Sequence, residues 1–307
     1  MYKVDVIKLR NKLDELNNLL ENYQENYMNM YYQIEISDQE EYWYDPHAKD
    51  FFDDKYMEKN NIEESYEELN EIYTLILDII EMYSSLGGVV EFDLSYRTSI
   101  LSKFNIYKNK LNRILNSYND LDYGFASSDI VNSIGNQISN VRKQMFLADM
   151  LKENVRNIMD DIKEFENDIS RMIKRIYISK LQFVDVEKYC TSNDKEQSDK
   201  SVINPEEIGN ITKKMTLYND LEESNFILIL NNFKKVIEAY KTTNTPAFEN
   251  LKESVNNKFE SIKDINMNNI DIYKRNVEKY EKIDEEVTND ARNIGAWLLW
   301  CMMKNII

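Results

Sequence analysis

The sequence predicts an all-α protein of long antiparallel helical hairpins that pack as a coiled-coil-like bundle. Its 307 residues include only 6 Gly and 3 Pro, the residues that most often mark turns and loops. So few turn residues predict few connections and therefore long helices. Apolar side chains recur in alternating steps of three and four residues, which places them on one face of a helix. Strands are nearly absent from this pattern, and Gly88–Leu94 is the single short candidate.

Two apolar stripes predict the first hairpin. Asp45 followed by Pro46 fits a helix cap and first helical position, so helix one ends near residue 36 and helix two starts at Pro46. The Gly pair at Gly87 and Gly88 supplies the end of helix two. A connection of about ten residues lets the two helices fold back antiparallel. The first stripe comprises Val6, Leu9, Leu13, Leu16, Leu20, Tyr23, Tyr27, Met30 and Ile34, and the second comprises Ile62, Tyr66, Leu69, Tyr73, Ile76, Ile80 and Tyr83.

The same plan recurs twice more along the chain. Stripes over 100–121 and 151–176 predict a second hairpin, whose second helix runs from about Ser128 to Val184. Asn204-Pro205 and Thr245-Pro246 each resemble a helix start and predict the two arms of a third hairpin. We therefore expect four segments: a first hairpin at 1–88, a second at 89–190, a polar linker at 191–203, and a third hairpin at 204–307 with an apolar C-terminal tail.

The net charge of the chain limits the classes of partner that it can be expected to bind. The formal net charge of −17 disfavours nucleic acid and anionic membranes, because phosphate binding needs clustered Lys and Arg. The most apolar run, Ala296–Met303, is far shorter than the ~20 residues that a membrane-spanning helix needs. We expect this tail to dock as a terminal helix, the alternative being contact with a membrane or a partner. The N-terminus lacks the apolar stretch of a secretory signal, which predicts a cytoplasmic protein.

The sequence offers no arrangement typical of catalysis. His47 is the only His, so a His-rich metal site is excluded, and no Gly-rich phosphate loop occurs. Carboxylates are abundant but evenly spread, and on helices they usually mark the solvated face. We therefore predict no catalytic residues, no metal site, no cofactor and no enzymatic activity.

The connection between the first two helices carries a recognisable motif. It reads Trp43-Tyr44-Asp45-Pro46-His47-Ala48-Lys49-Asp50-Phe51-Phe52, and here the chain resembles the WXG100 (ESAT-6-like) superfamily of the type VII secretion system. Members of that family have a helix, a turn with W-x-G, and a second helix with an aromatic residue soon after. This chain has Trp43-x-Asp45, so the Gly is missing and the capping Asp45 is its physical substitute. The likeness extends over residues 1–86 and is weaker beyond.

The resemblance implies two kinds of functional residue. The turn residues Trp43, Asp45, Ala48, Phe51 and Phe52 become candidates for partner contact, although a Trp at a hairpin tip also serves simply to cover the apolar ends of the two helices. The family's C-terminal export signal, Tyr-x-x-x-Asp/Glu, matches at Tyr280 and Asp284. The same spacing also occurs at Tyr31/Glu35, Tyr118/Asp122 and Tyr218/Glu222.

Taken together, these features predict a non-enzymatic helical protein of a type VII secretion system. It would be a secreted substrate without a cleaved signal peptide, or a partner or chaperone of one. Its partners would be other helical proteins of that system or further copies of itself, bound by knobs-into-holes packing of helices. Two alternatives stay open: an acidic, cytoplasmic immunity-type inhibitor of a basic toxin, guided by net charge, and a structural coiled-coil spacer.

Overall fold

A computed structural model describes residues 2–44, 46–92, 97–122, 124, 126–181, 189 and 202–303. Almost all of them are helical, which confirms the predicted all-α class. Within this part of the chain, no helix has an apolar stretch long enough to cross a membrane. The helices are α1 (Val6–Gln39), α2 (Pro46–Ser84), α3 (Arg97–Asn119), α4 (Ser128–Ile173), α5 (Pro205–Ala239) and α6 (Thr245–Met303).

The helix ends follow local chemistry. The Asp5 carboxylate accepts a hydrogen bond from the backbone N–H of Lys8 (2.9 Å) and so caps α1. Asn204 caps α5 in the same way through the N–H of Glu207. After α2 ends, Gly87 adopts φ 130°, a backbone conformation that residues other than glycine rarely adopt. The predicted Gly pair therefore does end this helix.

Two predicted boundaries differ from the structure. Helix α1 continues to Gln39, three residues beyond the predicted end, and stops where Glu41 takes a positive φ of 50°. Helix α4 ends at Ile173 rather than near Val184. The predicted linker lies outside the described residues except for positions 202 and 203.

Five short strands join the helix ends. Strand β3 falls within the predicted candidate, but the other four were not predicted, because two to four residues carry too little periodicity to be seen. The strands are β1 (Tyr2–Asp5), β2 (Trp43–Tyr44), β3 (Val89–Phe92), β4 (Val202–Ile203) and β5 (Tyr240–Lys241). They form one antiparallel sheet of order β3-β1-β5 and one antiparallel pair, β2-β4.

The chain packs into two compact units, each assembled from separate stretches of sequence. Unit 1 comprises Met1–Asn11, Leu75–Arg175 and Val236–Phe248, and unit 2 comprises Lys12–Thr74, Ile176–Lys235 and Glu249–Ile307. Packing thus groups the chain differently from the order of the three predicted hairpins.

Unit 1 contains the three-stranded sheet and the antiparallel pair α3–α4. Val4 of the central strand β1 is fully buried and lies opposite Val90 of β3 and Tyr240 of β5. The α3–α4 pair lies in the segment predicted as the second hairpin. The two helices bury only a narrow seam between them, which includes Leu111 and Val141.

Unit 2 is built on stripes from α1, α2, α5 and α6. The ring of Phe226 stacks on that of Phe259 at 4.0 Å, and Tyr23 lies 5.2 Å from Phe226. Leu13, Leu16 and Leu69 of the predicted stripes are buried with them. Tyr66 and Tyr73, also predicted, are only partly buried, and Ile72, which was not predicted, is buried.

Candidate functional site

The Trp motif lies inside unit 2. Trp43 is only 2% exposed, and its ring lies 5.1 Å from Phe51, 5.8 Å from Phe52 and 5.9 Å from Tyr273. Ala48 is buried as well. Because an aromatic ring buries up to ~150–250 Å² of surface, this cluster supplies a large share of the apolar contact in its part of the core.

Backbone pairing holds Trp43 in this position. Trp43 pairs with Ile203 in the β2–β4 ladder, and the N–H of Asn204 donates to the carbonyl of Tyr42 at 2.8 Å. The side chain of Trp43 is thereby directed into the core by its strand. Asp45, the third residue of the predicted motif, lies outside the described residues.

The aromatic cluster continues into buried polar groups. The Phe51 ring lies 5.5 Å from the ring of Tyr189, whose hydroxyl is hydrogen-bonded to Asp54. The ammonium of Lys55 lies 5.3 Å from the Phe51 centroid and 2.5 Å from the carboxylate of Glu58. This enclosure leaves no face of Phe51 open, and a partner-contact role for the motif residues stays a prediction.

The predicted export signal lies on α6. Tyr280 is half-buried, and Asp284 is exposed. Every residue from 281 to 298 is exposed except Gly295, which is partly covered. This stretch therefore presents a helix that nothing in the described structure covers, and its role in export stays a prediction.

A carboxyl group with a raised pKa is buried in the unit 2 core. Glu222 is 1% exposed, and burial raises its pKa to about 8, against a smaller lowering by the hydrogen bond from the Asn266 amide. Near it, the hydroxyls of Tyr23 and Tyr31 are buried without a hydrogen-bond partner in the described residues, and burial raises the pKa of both well above their usual value. The Oε1 atom of Glu222 likewise has no hydrogen-bond partner in the described residues.

Unit 1 contains a contrasting carboxylate whose hydrogen bonds are satisfied. Glu166 of α4 is buried and accepts hydrogen bonds from the hydroxyls of Tyr83 (2.6 Å) and Tyr240 (2.7 Å). Its second oxygen accepts from Thr243 (3.2 Å) and from the amide of Asn244 (3.1 Å). Burial, and to a smaller extent the charge of Glu166, raises the pKa of each of these two tyrosines far above the usual value for tyrosine. One carboxylate thus joins α2, α4 and the β5–α6 turn.

The α3–α4 pair exposes a broad apolar surface, which we call the hairpin face. Leu147, Leu151 and Ile158 follow one another at helical spacing along α4 and are 51%, 53% and 44% exposed. Tyr107 and Ile114, also exposed, supply the α3 side. The Tyr107 hydroxyl lies 3.4 Å from the amide oxygen of Gln144, which places both helices' contributions on one side of the pair.

The opposite side of the pair is closed by polar contacts. Lys108 forms an ion pair with Asp149 at 2.7 Å, and the ammonium of Lys152 donates to the side chain of Asn105 at 2.8 Å. The buried seam between the helices contains Leu111. The hairpin face is therefore a separate surface and not part of the seam that joins α3 to α4.

The described residues contain no cluster of metal-ligating side chains. No group of three or more His, Cys, Asp or Glu among them could hold a metal ion. Glu166 is fully engaged in hydrogen bonds and Glu222 is closed off from solvent. Exposed apolar patches, by contrast, mark interaction surfaces.

No protein-family model, curated protein or solved structure matches the chain. The hairpin face is thus assigned from its own geometry. It is the best candidate functional site in the described structure, because a thin helix pair leaves it uncovered over several helical turns.

Sequence reasoning did not single out this surface. The stripe at Leu151 and Ile158 was predicted as core, since helical spacing usually indicates burial. The relevant signal is the number of apolar positions on α4. One neighbouring helix buries one stripe, and α4 carries more apolar positions than α3 can cover. Counting the apolar faces of α4 against its neighbours would have shown the excess.

Replacing Trp43 tests its role as a core residue. We expect Trp43→Ala to destabilise unit 2 by about 3–5 kcal/mol, because it removes the largest side chain of a buried cluster. Tyr44→Ala, at the adjacent and 51% exposed position, should cost less than about 1 kcal/mol. Amide hydrogen exchange, read separately for the helices of each unit, measures both. Equal effects of the two substitutions would contradict the burial of Trp43.

Glu222 makes a specific prediction about pH. Its folded-state pKa of about 8 exceeds its usual value of 4.5, so the folded state binds the proton more tightly and stability falls as pH rises from about 4.5 through 8. In the wild-type chain we expect the free energy of unfolding to decrease by on the order of 3 kcal/mol over this range. The Glu222→Gln variant is neutral at every pH and should not show this decrease. Thermal unfolding at pH 5 and pH 9 measures it. Glu223→Gln, at the neighbouring half-exposed residue that is ion-paired with Lys263, is the control and should keep the wild-type pH dependence.

Proposed function

We propose that this protein works as a non-enzymatic binding protein that pairs its exposed apolar helix surfaces with another helical protein. The observation that carries the proposal is the hairpin face. At least five large apolar side chains lie along one side of α3 and α4, each more than 40% exposed. Such a row buried against a partner helix contributes roughly 25 cal/mol per Å² of apolar area.

Helix pairing also fits the shape of this surface. Leu147 and Leu151 are four residues apart on α4, and Tyr107 and Ile114 are seven apart on α3. These are the spacings at which side chains of a third helix insert as knobs into holes. A small molecule would need a concave pocket with convergent polar groups, whereas the hairpin face is long and shallow.

We propose further that the pairing takes place in a type VII secretion system, with this chain as a secreted substrate or as a partner or chaperone of one. The support for this setting is the resemblance of Trp43-x-Asp45, Ala48 and Phe51 to the WXG100 (ESAT-6-like) motif. The position of the Trp between two antiparallel arms, α1 and α2, fits the same resemblance.

Co-expression tests the binding function. The full chain would be tagged and produced with each small helical-hairpin protein encoded beside its gene. We expect one of them to co-purify with the wild-type chain. The double substitution Leu147→Glu and Leu151→Glu should reduce the recovered partner at least about tenfold, because it buries two charges in the interface.

The matched control adds the same charge elsewhere on the pair. Asn109 and Asn116 are exposed and lie two residues beyond Tyr107 and Ile114, about 200° around α3 from the hairpin face. Asn109→Glu with Asn116→Glu should leave capture unchanged. Capture that is lost equally in both variants, or in neither, would count against the hairpin face as the binding surface.

Export tests the secretion setting. The intact chain should be found in the culture medium of its native producer, and Tyr280→Ala with Asp284→Asn should retain it in the cells. Tyr118→Ala with Asp122→Asn, a pair of the same spacing, is the control and should leave export unchanged. A wild-type chain that stays inside the cells while other substrates leave would contradict the role of secreted substrate. Export unaffected by the Tyr280 variant would contradict the signal alone.

A further inference from the structure

The exposed end of α6 carries its own apolar stripe. Ile283, Val287, Ile294 and Trp297 recur at steps of three, four and seven residues and are 45–61% exposed. The side chains between them are exposed too. A helix with a stripe on one face and no neighbour gains most of its stability from a partner that covers that face.

The charge around this stripe is acidic. Residues 280–298 contain five Asp or Glu and two Lys or Arg, a formal charge of −3. At helical spacing, Asp284 and Glu286 lie on either side of the stripe and Asp290 lies within it. A surface that covers the stripe therefore has to bring positive charge close to these carboxylates.

The segment that contains the hairpin face carries the complementary charge. Residues 97–158 contain nine Lys or Arg and five Asp or Glu, a formal charge of +4 in a chain whose total is −17. Lys103 and Lys110 of α3 lie beside Tyr107 and Ile114, and Lys143 of α4 lies one turn before Leu147. None of these three lysines forms an ion pair with a described residue, and all are exposed. Basic side chains therefore border the hairpin face.

A shallow groove on α4 lies next to the hairpin face, and Leu147 belongs to both. The groove is lined by Ser139, Arg142, Lys143, Phe146 and Leu147, and Phe146 is 64% exposed. Apolar and cationic side chains thus lie together beside the hairpin face, as apolar and anionic side chains do along α6.

We propose that the exposed end of α6 from one copy packs on the hairpin face of a second copy, so that the chain associates with itself through two unlike surfaces. This inference rests on the proposed function and names its partner helix. The apolar stripes match in extent: residues 283–298 span ~23 Å and residues 147–158 span ~17 Å at 1.5 Å per residue. The flanking charges are opposite in sign and therefore complementary.

Contact between unlike surfaces gives either a mutual exchange within a closed dimer or an open chain of copies. In both cases, each copy offers one acidic helix and one basic face. Charge reversal can therefore be introduced on either surface separately, and restored in a predictable combination.

Sedimentation velocity of the full chain over a range of concentrations tests the inference. The wild-type chain should associate, and Lys110→Glu with Lys143→Glu should raise the apparent Kd about tenfold or more. Glu286→Lys with Asp290→Lys should do the same. A chain carrying all four substitutions has both charges exchanged, and it should regain wild-type association. Circular dichroism at each step checks that helicity is unchanged.

A photo-crosslinking amino acid at position 147 locates the contact. Its crosslinked peptide should come from residues 283–298 of another copy. A wild-type chain that stays monomeric, or a hairpin variant that associates like wild type, would overturn the inference. Crosslinks from position 147 to α4 of the other copy would overturn it as well, in favour of a symmetric contact.

These outcomes are separate from those of the proposed function. A monomeric chain that captures a neighbouring helical protein through the hairpin face refutes only the contact between copies. A chain that associates with itself but captures no other helical protein, and is not exported, refutes the proposed function and leaves the contact between copies standing.

Discussion

The need of each amphipathic helix to cover its apolar stripe governs this structure. A helix of 30 or 40 residues carries a stripe too long to leave in water, and helices are stabilised in proteins mainly by packing of that stripe. In unit 2, stripes from α1, α2, α5 and α6 meet around Tyr23 and Phe226. Where no second helix lies alongside, as along the hairpin face and the end of α6, the stripe stays exposed, and these are the surfaces that we propose bind a partner.

The buried carboxylates show two ways of meeting the cost of desolvation. Glu166 stays within reach of four donors, and its hydrogen bonds replace water. Glu222 has one amide donor, and burial disfavours its charged form and raises its pKa. The first arrangement ties together three parts of unit 1, whereas the second is the basis of the pH dependence that we expect for the core of unit 2.

The helices and most of their ends could be predicted from the sequence, because capping and periodicity are local. Pro46, Pro205 and the Gly pair after α2 each lie at the boundary they predicted. Apart from β3, the strands could not, since their pairing joins residues far apart in the chain, and the hairpin face could not, since its exposure depends on which neighbours cover it. A Leu at helical spacing, such as Leu151, is the same in sequence whether a neighbour covers it or not. For Trp43, the sequence left plug and partner contact open, and the structure places it in the core.

The sheet of unit 1 has a consequence for how the chain is made. Its middle strand, β1 (Tyr2–Asp5), pairs with β5 at Tyr240–Lys241, about 235 residues further along the chain. During synthesis β1 therefore waits for all of these residues to emerge before its second edge is filled, and such long-range closure is slow. A ribosome stalled before residue 240 would display an unpaired strand edge, which is prone to misassembly. Nascent chains of this protein are accordingly expected to need protection, by a chaperone or by rapid release, until that last strand is complete.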